Sequence, residues 1–137
     1  MGPRSRARAE INAVVARIKQ DWTDYPLLVE IDNRNLADYA SQRDPFLQVQ
    51  VLNLAGEQMD LGEDPFTCQE GQILLSAVVR AGEGTAKAAE LLEFAESYFH
   101  LKDFELVRCH AAVAVRPKEI KEWWHESAII PFWYQWK

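Results

Sequence analysis

The sequence predicts an α+β fold, with about four to five strands in a mixed or antiparallel sheet and two main α-helices packed on it. Two segments carry apolar residues at helical spacing, and several others alternate or run continuously apolar over strand lengths. They follow one another as helix, strands, helix, strands, an order that favours helices covering one face of a sheet. The chain has 137 residues, 48% of them hydrophobic. We therefore assign residues 1–137 to a single domain with one modest core.

The first predicted helix runs from Ala7 to Trp22, with one apolar stripe that includes Ile11 and Ile18. Tyr25-Pro26 ends it, because the residue before a proline avoids helical geometry. The second predicted helix runs from Ala86 to His100. It follows Thr85, whose hydroxyl suits an N-cap.

Six segments are strand candidates: residues 27–31, 45–51, 66–70, 71–80, 106–115 and 129–136. The first is short, and the fifth has room for a bulge and ends at Arg116-Pro117. The nearly continuous apolar run from Gly71 to Arg80 has the length of a central strand buried on both faces. Between the strands, residues 33–44 and 55–65 are predicted as loops, and residues 118–124 as a loop or one helical turn.

Composition and charge exclude several classes of protein. The net charge is −6, which disfavours a protein that wraps the nucleic-acid backbone but not one past which DNA slides. The only two cysteines, Cys68 and Cys109, match no zinc-site spacing and are too few for a disulfide scaffold. No stretch approaches the roughly 20 apolar residues of a membrane span. The basic start precedes an amphipathic helix and not a signal-peptide core, so we expect assembly in a cytoplasm.

No catalytic, cofactor or metal constellation emerges from the spacing of the reactive residues, and we expect no enzyme activity. The turn Gly82-Glu83-Gly84-Thr85 lacks the third glycine of a dinucleotide site and the lysine of a P-loop, so a tight turn with a cap is the plainer interpretation. His100, His110 and His125 share no metal-ligand spacing. Cys109 and His110 are adjacent, so in a strand they point to opposite faces and cannot act as a nucleophile and base.

The acidic stretch with Glu57, Asp60, Glu63 and Asp64 does not have the ligand order of a calcium-binding loop. We interpret it as a solvated loop or as a surface for a partner.

The C-terminal segment is the most unusual part of the chain. Four of the five tryptophans, at positions 123, 124, 133 and 136, fall among the last fifteen residues. By strand alternation, Phe132, Tyr134 and Trp136 face one way and Trp133 faces the other. One of these faces must be buried, while the other keeps an exposed tryptophan unless something covers it. The segment therefore either fills the core alone or fills the core and contacts a partner, and both interpretations remain open.

Three pieces in this order carry a resemblance to a known family. They are the strand Pro45–Val51, the strand, turn and helix from Leu74 to Leu92 with its Gly-x-Gly-Thr turn, and the ending Ile130-Pro131-Phe132-Trp133-Tyr134. Together with the N-terminal helix and the length, they resemble the tail terminator proteins of long-tailed bacteriophages. The likeness covers most of the chain in layout and is specific in the turn and in the Pro-Phe-Trp-Tyr ending.

The resemblance implies a small, non-enzymatic α/β virion protein at the head-proximal end of the tail. Such proteins form a homo-hexameric ring on the last ring of the tail tube, stop its polymerisation and offer a joining surface to the head-side connector protein. DNA passes through the lumen without specific binding. Closed rings use heterologous interfaces. We expect the contact residues to be Phe132, Trp133, Tyr134, Trp136, Glu57, Asp60, Glu63 and Asp64.

Two other functions remain open from the sequence. One is a head–tail connector or neck subunit, which keeps the virion but changes the position in it. The other is a small phosphate-ligand-binding protein that uses the Gly82–Thr85 turn.

Overall fold

The computed structural model describes residues 2–23, 28–31, 45–58, 67–82, 85–120 and 122–136. These residues form two helices, α1 (Pro3–Asp21) and α2 (Thr85–Glu96). They also form six strands: β1 (Leu28–Ile31), β2 (Phe46–Gln58), β3 (Thr67–Arg80), β4 (Arg108–Cys109), β5 (Val113–Ile120) and β6 (Trp123–Trp136). The predicted α+β class is confirmed.

The strands form one mixed sheet in the order β1-β2-β3-β6-β4, and β5 pairs with β6 on the same side as β4. β1 runs parallel to β2, and every other described pair is antiparallel. β3 and the C-terminal strand β6 pair over fourteen positions, from Thr67 opposite Trp136 to Arg80 opposite Trp123. The aromatic end of the chain is therefore a central strand of the sheet.

Both helices pack on one face of this sheet, as the sequence predicts. α1 buries Ala7, Ile11, Val14, Val15 and Ile18, and α2 buries Ala88, Leu91, Leu92 and Ala95. These side chains share one core cluster with alternate residues of β2, β3 and β6. Where the two helices approach, the rings of Trp22 and Phe94 meet edge to face, with centroids 4.9 Å apart. The two helices thus close a single core over the sheet.

Three strands are longer than predicted: β2, β3 and β6, the last of which begins at Trp123 and not at Ile129. β2 continues to Gln58, so Glu57 lies in a strand opposite Cys68 and not in a loop. Between Asn53 and Gly56 the register shifts, because β2 has one residue more than β3 over this stretch. Residues 66–70 and 71–80 were predicted as separate segments, but residues 67–80 form the single strand β3. Gly71 does not interrupt it, because the ring of Phe132 occupies the space that a side chain would take.

In the second half of the chain, two predictions are wrong. Residues 106–115 are not one strand: the chain forms β4, is irregular at residues 110–112, where the His110 amide still donates to the Pro131 carbonyl of β6, and continues as β5. Residues 118–124 were predicted as a loop or one helical turn, but residues 118–120 belong to β5 and residues 123–124 to β6, with Glu122 in the turn between them. A register shift between Val115 and Lys118 accommodates Pro117, and proline is tolerated at such bulges and on edge strands.

The turn before β4 is held by α1. Both carboxylate oxygens of Glu10 accept a hydrogen bond from the Leu106 amide, at 2.9 and 3.1 Å, and one of them also accepts from the Val107 amide at 3.1 Å. An isolated antiparallel β-bridge between the backbones of Asp103 and Arg108 closes this turn.

The predicted loop at residues 33–44 lies outside the described residues. Neither described helix combines the length and apolar character needed to cross a membrane.

Candidate interface on the open face of the sheet

The predicted alternation in the aromatic ending is confirmed where the side chains are described. Phe132 and Tyr134 point toward the helices and are 2% and 0% exposed. Their rings stack with centroids 6.2 Å apart. Burial raises the pKa of Tyr134, while the nearby Arg4, at the start of α1, acts in the opposite direction. These two aromatic side chains belong to the core and offer almost no surface to a partner.

Trp133 points to the opposite face of the sheet and is only partly buried. It is therefore the aromatic contact candidate that the fold leaves accessible. Trp136 pairs with Thr67 at the end of β6, and its side chain lies outside the described set, as does that of Glu57. Asp60, Glu63 and Asp64 lie outside the described residues altogether.

An apolar patch extends from Trp133 along β6 and onto the neighbouring strands, and we call it the open face because no described helix or strand packs over it. The register between strands puts the following side chains on this side of the sheet: Leu52, Leu74, Val113, Val115, Ile129, Pro131 and Trp133. Leu52 and Val113 are 51% and 55% exposed, and the other five are intermediate. Soluble proteins seldom leave such a patch bare unless it meets a partner.

The rim of the open face is polar. Gln48 and Gln50 border the patch on β2, Gln72 lies within it between Leu52 and Pro131, and Gln135 lies at its end. All four are uncharged, while Glu70 and Arg108 flank Trp133. An apolar centre free of charge inside a polar rim is the usual composition of a protein–protein interface. The arrangement can bury apolar surface against another molecule, and it brings together no set of catalytic groups.

At the end of the sheet that carries Trp123, the side chains on the same side as Trp133 are buried. Phe46, Val78 and Trp123 form a second, small buried cluster, in which the Phe46 and Trp123 rings meet edge to face at 5.5 Å. The Arg80 guanidinium lies 4.4 Å from the centre of the Trp123 ring and also forms a 2.8 Å ion pair with Glu122. Trp123 is therefore a structural residue. Trp124 lies on the helix side, partly buried against the main core.

Between this cluster and the open face lie three buried polar side chains. The hydroxyls of Ser76 and Ser127 form a 2.9 Å hydrogen bond across β3 and β6. His125 is 5% exposed, and its Nε2 has no hydrogen-bond partner in the described part of the chain. Burial lowers the pKa of His125, and Lys118, opposite it on β5, lowers it further. Both effects favour the neutral form of this histidine.

The other reactive residues occupy structural positions. His100 accepts a hydrogen bond from the Ala112 amide through Nδ1 at 3.0 Å. Cys109 is buried while its neighbour His110 is exposed, which agrees with the predicted opposite orientation. Burial, with a smaller contribution from Asp103, raises the pKa of Cys109 to about 12, so its thiolate is not populated at neutral pH. No group of three potential metal ligands occurs among the described residues.

The turn proposed as an alternative phosphate site is only partly described. Gly82 has a φ of +91°, a conformation that glycine adopts without strain, and nothing lies within 4 Å of the position of an added Cβ. The Ala81 amide donates to the Glu122 carbonyl at 2.8 Å, which ties this turn to the turn between β5 and β6. Glu83 and Gly84 lie outside the described residues.

Sequence reasoning identified Trp133 but missed its neighbours on the open face. The spacing predicts Leu74 in a strand buried on both faces and Val113 and Ile129 only as strand residues, and it assigns Leu52 to no element. Once the strands are paired, the odd residues of β6 and the even residues of β2 and β3 fall on one surface. Alternation within each strand was the available signal, but it does not show which strands are neighbours.

No protein-family model matches this chain, and no curated protein matches it. Among solved structures, the chain is similar to a protein named only by a sequence label. That structure matches with a TM-score of 0.64 and 16% sequence identity, over 95% of this chain and 96% of the other. At this level of identity, the likeness shows a shared fold over essentially the whole length.

Proposed function

We propose that this chain is a structural virion protein of the tail terminator kind. In this proposal it forms a ring that caps the tail tube, stops tube polymerisation and presents the head-side joining surface. The proposal rests on the resemblance of the Gly-x-Gly-Thr turn and the Pro-Phe-Trp-Tyr ending to that family. It is supported by the α+β architecture, which is of the kind that the resemblance implies.

The observation that carries the proposal is the open face. A chain of this size that leaves Leu52, Val113 and Trp133 accessible on one side of its sheet gains stability when a partner covers that side. Trp133 comes from the same short motif whose neighbours, Phe132 and Tyr134, anchor the strand in the core. The motif therefore combines a rigid support with an accessible tryptophan, which is an arrangement typical of interface anchors.

The edge of the sheet at β5 is poorly suited to pairing with a further strand, which favours contact through the face of the sheet on this side. β5 lies at the edge, and its residues are exposed or half-buried. It carries a register shift, Pro117 and the charged Lys118, which are features that hinder pairing with a further strand. In a closed ring of identical subunits, the open face of one copy would pack against a different surface of the next.

Charge agrees with the proposed position in the virion. The chain carries a net charge of −6, so a lumen built from it would repel passing DNA and not retain it. In this proposal the partners are other copies of the chain, the tail tube protein and the head-side connector protein.

Purified protein added to isolated tail tubes tests the proposal. We expect negative-stain images to show a ring at one end of the tube, and added tube subunits to stop extending that end. Trp133→Ala should remain folded and lose capping, because the removed side chain is partly exposed. Leu101→Ala, which trims an apolar side chain that is 65% exposed in the turn after α2, is the matched control and should cap normally.

Three results would count against the proposal. Binding to the head-side vertex and not to tube ends would favour the connector alternative. Normal capping by Trp133→Ala would remove the open face from the contact. Global unfolding of Trp133→Ala would place this side chain among the core residues and withdraw the interface argument at that position.

A further inference from the structure

A row of three side chains crosses the open face of the sheet. Trp133 of β6 lies directly opposite Glu70 of β3 on one side and Arg108 of β4 on the other. Directly paired residues of antiparallel strands share a face, so all three side chains emerge on the same side. Glu70 is exposed and Arg108 is half-buried. The accessible tryptophan is thus flanked by one negative and one positive charge.

The two charges are not used within the described part of the chain. Two strand spacings separate their backbones by roughly 10 Å. Neither side chain forms an ion pair with another described residue, and Arg108 makes only a hydrogen bond through one nitrogen to the Phe104 carbonyl. A guanidinium has five donors, so most of its hydrogen-bonding capacity remains available to a partner.

We infer that the free protein forms a two-fold dimer in which the open faces of two copies pack against each other around Trp133. Consider a two-fold axis that lies between the sheets and runs along β6. The rotation places β3 of each copy over β4 and β5 of the other. Each Glu70 then faces the Arg108 of the other copy, and the two Trp133 side chains meet at the axis. The row is self-complementary, as an isologous contact requires.

The rest of the surface fits the same operation. Leu74 of β3 would face Val113 of β5 in the other copy, and Ile129 would face its own counterpart across the axis. The row also continues outward to Asp103, which is paired with Arg108. That carboxylate would approach the β2 segment 53–56, whose sequence carries no charge. The operation therefore brings no like charges together along this row.

The size of the contact predicts a weak dimer. Three strands spaced about 4.8 Å apart, over five rows about 6.8 Å apart, give a footprint of about 490 Å² per copy. Two copies would bury about 980 Å², which is below the standard interface size. We therefore expect a dissociation constant of about 10–100 µM.

This inference goes beyond the proposed function, because it concerns the protein before it meets any partner. A weak dimer would cover Trp133 in the free protein and would dissociate when a larger contact covers the open face. The dimer is tested by measurements on the free protein in solution, so a failure to cap tail tubes would not contradict it. A protein that is monomeric in solution would not contradict the capping proposal.

Sedimentation velocity between 5 and 500 µM (a range chosen to bracket that of about 10–100 µM above) tests the dimer. Glu70→Arg and Arg108→Glu should each weaken it by about 10-fold or more, because each homodimer then has two like-charge contacts. An equimolar mixture of the two variants should dimerise as well as the wild type. In that heterodimer both charge contacts are opposite in sign. If Glu70 and Arg108 instead contacted other surfaces, mixing the two variants would not restore the dimer.

Two controls keep the test decisive. Glu90→Arg makes the same charge change as Glu70→Arg on the exposed side of α2 and should leave the dimer unchanged. If Arg108→Glu fails to fold, Arg108→Gln retains a donor for the Phe104 carbonyl and should weaken the dimer without reversing the charge. A wild type that is monomeric at 500 µM overturns the inference, as does a mixture that dimerises no better than either single variant.

Discussion

Substitution of Gly71 by alanine should destabilise the protein, although the same change stabilises many strands. Gly71 lies in the middle of β3, opposite Phe132 of β6. A Cβ added there would lie 2.4 Å from Cζ and 2.7 Å from Cε1 of Phe132. It would also lie 2.6 Å from the carbonyl oxygen of Leu52. The phenyl ring can shift only within a packed core, and the carbonyl belongs to the backbone of β2.

The two opposing effects differ in size. Removing the conformational freedom of a glycine from the unfolded chain is worth about 0.4–1 kcal/mol when the native backbone accepts alanine. Overpacking a closed core by one methyl group costs about 1–3 kcal/mol, and more when backbone must move. We expect the clash to dominate, with a net loss of about 1–2 kcal/mol. For a domain of this length, that corresponds to a fall in melting temperature of roughly 3–7 °C.

Urea and thermal unfolding of the wild type, Gly71→Ala, Phe132→Leu and the double variant measure the effect. Leucine is shorter than phenylalanine, so the double variant should be less unstable than the sum of the two single changes. Gly2→Ala is the control, because nothing lies within 4 Å of its added Cβ. A Gly71→Ala protein as stable as the wild type would refute the argument that Phe132 occupies the space over this glycine.

Three further predictions concern other parts of the fold. Phe132→Ala should cost about 3–5 kcal/mol of unfolding free energy and Trp133→Ala less than half of that, since only the first side chain is fully buried; equal losses in urea titrations would contradict the assigned orientations. The folded-state pKa of His125 lies below its unfolded value, so its contribution to stability is present above about pH 6.5 and is lost as the pH falls. The wild type should therefore lose more stability between pH 7.5 and 5.5 (either side of that pH of about 6.5) than His125→Gln, and parallel curves would exclude this role. Glu10→Ala should speed hydrogen exchange at the Leu106 and Val107 amides and cost about 1–3 kcal/mol, whereas unchanged exchange would show that the turn does not depend on this carboxylate.

Local patterns predicted the elements with strong periodicity. The apolar stripe of α1, the alternation that begins β2 and the orientation of Phe132, Trp133 and Tyr134 all follow from side-chain spacing alone. The weaker predictions failed where spacing carries little information. Residues 118–124 contain no run of alternating polarity, yet residues 118–120 and 123–124 lie in strands because β5 and β6 pair with each other there.

The open face shows the limit of the sequence most clearly. Glu70, Trp133 and Arg108 are far apart along the chain, and nothing in their local sequence indicates that they form one row. Only the register of β6 with β3 and β4 brings them together. The acidic stretch illustrates the same point, since Glu57 was expected in a loop and lies in β2.

The sequence by itself determined the class of fold, both helices, the burial of one face of the aromatic ending and the absence of a recognisable catalytic motif. These follow from local periodicity and residue chemistry, which act within a few residues of one another. Tertiary structure decided that the aromatic ending is a central strand and that both helices pack on the face opposite to Trp133. It also decided that Trp133 lies at an apolar patch, between opposite charges, that no described helix or strand covers. Strand order and register arise from contacts between residues distant in the chain, and local spacing carries no record of them.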